Sequence, residues 1–124
     1  MAATILIVEA EAAVRRLLQV ALSGAGYAVK AASGADAAME ICRETGVELV
    51  LADVGLSMDG HALARRVAVE CPGTRVLLMV GWEKGCEDCP YSPRCHVITK
   101  PFRMDRLLEV AAAALSERPG RQVD

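Results

Sequence analysis

With 124 residues, 53% of them hydrophobic, the chain is long enough for one well-formed core and too short for two domains. Its net charge of -2, from 14 basic and 16 acidic residues with no basic run carrying interleaved aromatics, offers no polyanion-binding surface, so nucleic acid is not expected as a direct partner. Five cysteines, an odd number, argue against a disulfide framework and leave free thiols or a metal site. The opening "MAATILIVEAEAAVRR" lacks the basic flank of a signal peptide and turns charged too early for a span, so a cytoplasmic chain without membrane contact is expected.

Thr4 to Val8 is a short apolar run, read as a strand buried on both faces. Val14, Leu17, Leu18, Ala21 and Leu22 follow at helical spacing, and Gly24 and Gly26 end that helix where a left-handed cap is needed. Tyr27 to Ala31 reads as an outer strand, Ser33 as the cap of a helix over Ala35 to Thr45, and Val47 to Ala52 as a central strand. A helix over Ala62 to Glu70 ends at Cys71-Pro72-Gly73, with His61 a surface residue at its start. Val76 to Val80 is the fourth strand and Val97 to Thr99 a weaker fifth. Leu107, Leu108, Ala111, Ala114 and Leu115 mark the apolar face of the last helix. Strand and helix thus alternate, which predicts an α/β doubly wound parallel sheet of five strands covered on both faces. The domain is expected over residues 1–117, and 118–124 is polar with Pro and Gly, a frayed tail or the start of a linker. Arg15 and Arg16 read as the solvated face of the first helix, while Cys42 and Cys71 stand alone as ordinary buried residues.

Ligands of such sheets collect at the carboxyl ends of the strands, near the point where strand order reverses. Glu9 and Glu11 follow the first strand, Asp53 the third, and Lys100 the fifth. No glycine-rich loop follows the first strand, which removes the dinucleotide and P-loop readings. Grouped carboxylates suit a hard cation, and a lysine beside them suits a phosphoryl group. Each acid alone reads as a solvated strand end; their shared position after successive strands favours a site.

These residues carry a resemblance that covers nearly the whole chain: "ILIVEAEAAVR" at Ile5 to Arg15, "VLADVGLSMDG" at Val50 to Gly60, "VLLMVGW" at Val76 to Trp82 and "KPF" at Lys100 to Phe102. In this order and spacing the chain resembles the CheY-like receiver domain of bacterial response regulators. The resemblance implies the flavodoxin-like strand order 2-1-3-4-5 and a non-enzymatic role in two-component phosphorelay signalling. It implies a phosphoryl group accepted on Asp53 from a histidine kinase or phosphotransfer protein, Mg2+ held by Glu9 and neighbouring acids, Lys100 on the phosphoryl oxygens, and an output protein or domain as partner. Gly55 would complete the metal site through its carbonyl, and Pro101 would follow a cis bond.

The departures are specific. Ala10 stands where the family has its second magnesium-ligating acid, and a methyl group cannot bind a hard cation, so weak Mg2+ binding and weakened phosphorylation are expected. Glu11 begins the helix. Val80 replaces the hydroxyl residue that bonds the phosphoryl group, and Val97 the aromatic that moves with it. The loop after Asp53 lacks the family's proline and is one residue short, which displaces Gly55.

"VGWEKGCEDCPYSPRCHVITKPF", Val80 to Phe102, occupies the place of the family's helix between strands four and five, and is too rich in Cys, Gly and Pro for a normal helix. A helix shortened or replaced by a Cys-rich loop is expected there. Cys86 and Cys89 form a knuckle suited to Zn2+, with Cys95 and His96 to complete the set, although adjacent residues of a strand belong to opposite faces. An iron-sulfur site lacks a local fourth ligand, and a loop of reduced thiols is the bland reading. Trp82 reads as a cover over this loop or the acidic edge. The alternative to a phosphorelay receiver is a module of the same fold that has lost phosphorylation and acts as a metal- or thiol-based sensor or protein-interaction unit. A hydrolytic enzyme with Asp53 as nucleophile lacks a general base at any strand end.

Overall fold

The computed structural model describes residues 2–53, 60–81 and 95–116. Five parallel strands, β1 (Thr4–Val8), β2 (Ala28–Ala32), β3 (Leu49–Asp53), β4 (Arg75–Gly81) and β5 (Cys95–Lys100), form one sheet in the order β2-β1-β3-β4-β5. Four helices are described, α1 (Ala12–Gly24), α2 (Ala35–Glu44), α3 (Gly60–Glu70) and α4 (Met104–Ser116). The flavodoxin-like order expected from the resemblance is the order observed. The expected replacement of a helix by a Cys-rich loop, and Gly55, Cys86, Cys89 and the tail from residue 117, lie outside the described residues.

The pleat divides the sheet's side chains between two cores. Ile5 and Ile7 of β1, Leu49 and Leu51 of β3, Leu77 and Met79 of β4 and Ile98 of β5 meet Leu18 and Leu22 of α1 and Leu107, Ala111 and Ala114 of α4. Their alternates, among them Leu6, Val8, Val50, Leu78 and Val80, meet Ala38 and Met39 of α2 and Leu63, Ala64 and Val67 of α3. Apolar content without polar alternation in β1 and β3 is the consequence of this double cover. Trimming one methylene from such a core leaves a small void. Ile7→Val, at a fully buried position, is therefore expected to lower unfolding free energy by about 1 kcal/mol, read as a shift in the denaturant midpoint.

Several boundaries differ from expectation for identifiable reasons. Tyr27 is the closing residue of the α1 cap: its N–H donates to the Leu22 carbonyl at 3.2 Å and the Gly26 N–H to that of Ser23 at 3.0 Å, with Gly26 at φ 102°. That is a Schellman closure, and Tyr27 packs in the same cluster as Leu22. β2 accordingly begins one residue later than the expected Tyr27. Helix α2 is capped by extended Gly34 rather than Ser33, with no side-chain hydrogen bond; the Gly34 carbonyl accepts from Ala38 N–H at 3.1 Å and Asp36 places negative charge in the first turn. Leu17 is 55% exposed, because Leu18 and Leu22 already fill the contact of α1 with the sheet. Lys30 is exposed on edge strand β2, where a charge discourages pairing with another chain.

Candidate functional site

Strand order reverses between β1 and its two neighbours, and the acids stand at that point. Glu9 follows β1 and Asp53 ends β3, and in the register Val8 pairs with Ala52, so the two acids come next on adjacent strands. Both are buried polar residues, 3% and 6% exposed. Lys100, at the end of β5, brings Nζ to 3.0 Å from Asp53 Oδ2, and the Lys100-Pro101 peptide is cis. Glu9, Asp53 and Lys100 thus meet at the carboxyl edge.

The turn from β1 into α1 holds Glu9 in a defined pose. Glu11 N–H donates to Glu9 Oε2 at 3.1 Å, and Arg15 Nη1 donates back to the Glu9 carbonyl at 2.8 Å and the Ala10 carbonyl at 3.4 Å. Glu9 N–H in turn donates to the Ala32 carbonyl of β2 at 3.1 Å. Arg15 is therefore a clasp on the acidic turn, which corrects its reading as a solvated residue. A signal for it exists in the sequence: a cation in the first turn of a helix opposes the helix dipole, so its retention there needs a local acceptor. Glu11, by contrast, is exposed at the N-cap and contributes its N–H.

Glu9 Oε1 is buried and has no hydrogen-bond partner. A buried carboxylate oxygen left without a donor is costly unless a cation or water completes it. Magnesium is held elsewhere by as few as one or two carboxylates while keeping several waters, so Glu9 with Asp53 fits it. The set is a short one: the second-acid position carries exposed Ala10, and no group of three His, Cys, Asp or Glu side chains suited to a metal occurs among the described residues.

The positions expected to switch lie on the other core. Val80 is buried in the α2/α3 cluster, with Val97 packed against it, so neither presents a donor to Asp53. Cys95 and His96 are the first two positions of β5, paired with Val76 and Leu77 at the start of β4, whereas Lys100 pairs with Gly81 at its end. The five-residue advance from Cys95 to Lys100 is about 16 Å along a strand, which sets the Cys95 and His96 backbone positions at the opposite end of β5 from Lys100. With Cys86 and Cys89 outside the described residues, zinc gains no support here.

Comparison with known proteins supplies the context. The model of the response regulator receiver domain matches residues 5–112. The chain is 33% identical over 129 aligned positions to the response regulator protein FleR of Pseudomonas aeruginosa, covering 100% of this chain and 27% of FleR. It therefore spans about a quarter of that relative's length. The receiver domain of NtrX from Brucella abortus superimposes with a TM-score of 0.77 at 31% identity, over 90% of this chain and 97% of that one. A putative response regulator from Chloroflexus aurantiacus has the same fold, with a TM-score of 0.84 at 23% identity over 94% of this chain and 100% of its own. With the acidic edge in place on that fold and the family's pattern running through 5–112, the chain belongs to the response regulator receiver domains of two-component systems.

Proposed function

We propose that this receiver domain accepts a phosphoryl group on Asp53, slowly and with weak magnesium binding, and passes the signal on by protein contact rather than by catalysis of its own. The observation that supports this reading is the Asp53 carboxylate held at 3.0 Å from Lys100 beside the unpartnered Glu9 oxygen. In the transfer, a P–O bond forms to an Asp53 carboxylate oxygen as the bond from phosphorus to the donor's nitrogen breaks; the nitrogen keeps the electron pair and takes up a proton. Lys100 is placed to pair with the phosphoryl oxygens once Asp53 carries them. Bound magnesium, held by Glu9 and Asp53, would neutralise charge on the transferring group. The donor is a histidine kinase or phosphotransfer protein, and the receiver of the signal is an output protein or domain. Among the described residues no helix is long and apolar enough to cross a membrane.

A second reading has its own support. Val80 and Val97 are committed to an apolar core, so the shape change that would report phosphorylation lacks its hydroxyl and its aromatic. The chain would then act by contact alone, without phosphorylation. Incubation with a small phosphoramidate donor decides between them. Slow gain of one phosphoryl mass that rises with magnesium and vanishes in Asp53→Asn supports the first reading. No gain at any magnesium concentration, in this chain or in Ala10→Asp, supports the second.

A further inference from the structure

Cys42 and Cys71, far apart in sequence and each alone in its segment, meet in the fold. Cys42, in the last turn of α2 and 8% exposed, belongs to the α2/α3 core, and half-buried Cys71, just after α3, packs against that same core. Cys71 is near enough to Cys42 to act on its thiol. Their neighbours fix the approach: Arg43 donates through Nε and Nη2 to Glu70 Oε1 at 2.9 and 2.7 Å. The Cys71 backbone is tied on both sides, its N–H to the Val67 carbonyl at 2.8 Å and its carbonyl to Thr74 N–H at 2.9 Å. Thr74 Oγ1 donates on to the Val47 carbonyl at 2.7 Å. Two thiols, one in α2 and one just after α3, thus share one core on a backbone that is already braced.

We propose that Cys42 and Cys71 form a redox-responsive dithiol that closes to a disulfide in the presence of a low-molecular-weight disulfide, stapling α2 to α3. The order of events follows from exposure. Burial pushes the Cys42 thiol up to about 11, with the neighbouring Cys71 adding to it and Arg43 opposing it. Cys71, the more accessible sulfur, therefore attacks first. Its thiolate forms a mixed disulfide and one small thiolate leaves with the bonding electron pair. Cys71 then no longer opposes ionisation of Cys42, whose thiolate attacks the Cys71 sulfur and releases the second small thiolate. Two protein thiols are oxidised, one small disulfide is reduced to two thiols, and these take up the two protons. The pair lies at the amino edge of the sheet, beside the residues that lead into β3 and β4, so the acidic site at the carboxyl edge is left in place.

The test uses the full chain with Cys86, Cys89 and Cys95 replaced by Ser, incubated with glutathione disulfide. The expected result is loss of both remaining thiols, a mass lower by two hydrogens with no glutathione retained, a Cys42–Cys71 linked peptide in a non-reducing digest, and a reductant-reversible rise in Tm of roughly 10 °C. In Cys71→Ala on that background, Cys42 is expected to stay unmodified. A stable glutathione adduct on Cys71 with Cys42 still free, or a covalent dimer in place of the internal link, overturns the proposal. Should the triple-Ser chain fail to fold, the digest is run on the unsubstituted chain, where links from Cys71 only to residues of the 86–95 segment overturn it equally.

Discussion

Replacing Ala10 by aspartate is expected to tighten magnesium binding by at least about tenfold, the effect of a gain of roughly 1.4 kcal/mol, and to bring labelling of Asp53 into the range of ordinary magnesium concentrations. Ala10 is exposed, and the turn that carries it is already held by Arg15 on the carbonyls of residues 9 and 10. A carboxylate added on this braced turn joins Glu9 and Asp53 with little new ordering of backbone. Three carboxylates against one lysine repel each other when no cation is bound, so the variant is also expected to lose stability without magnesium. Thermal unfolding across a magnesium titration reads both effects at once: a lower starting Tm and a steeper rise. An Ala10→Asp chain whose Tm responds to magnesium no more than that of the unsubstituted chain would show that the acidic edge is not a cation site.

What the sequence made legible follows from what each element depends on. β1, β3 and β4 stand out because strands covered on both faces must be apolar throughout, and that is a property of consecutive residues. Glu9, Asp53 and Lys100 stand out because each ends a recognisable strand, so local pattern and topology together place them. Boundaries were less legible: Tyr27 belongs to the closure of α1 because Gly26 takes positive φ, and Leu17 faces outward because Leu18 and Leu22 fill the seat. Spacing alone puts Arg15 on the solvated face, because its partner is the backbone of residues 9 and 10; the trace it does leave is a cation set against the helix dipole in the first turn of α1. Cys42 and Cys71 read singly for a related reason: their meeting is made by the packing of α2 beside α3, with Arg43 paired to Glu70 and Arg66 to Asp36 across it, and no periodicity encodes a contact of that kind.

Glu9→Gln is expected to weaken magnesium binding by at least about tenfold, since it removes a charged oxygen ligand. In this chain the Glu9 carboxylate has a divided role: Oε2 accepts the Glu11 N–H at 3.1 Å, and Oε1 is buried without a partner. A glutamine can keep the first interaction through its amide oxygen, which leaves its NH2 group where a cation needs an acceptor. The turn should therefore keep its shape while the site loses its ligand. Linkage makes the loss measurable: a cation at ten times its dissociation constant stabilises the folded chain by about 1.4 kcal/mol, and this gain should disappear in Glu9→Gln. Glu11→Gln is the matched control, with the same change of charge two residues along, at an exposed residue whose contribution is its N–H. It should retain nearly the full magnesium response. If the two variants lose the response equally, overall negative charge at this edge governs cation binding; if only Glu9→Gln loses it, the buried oxygen does.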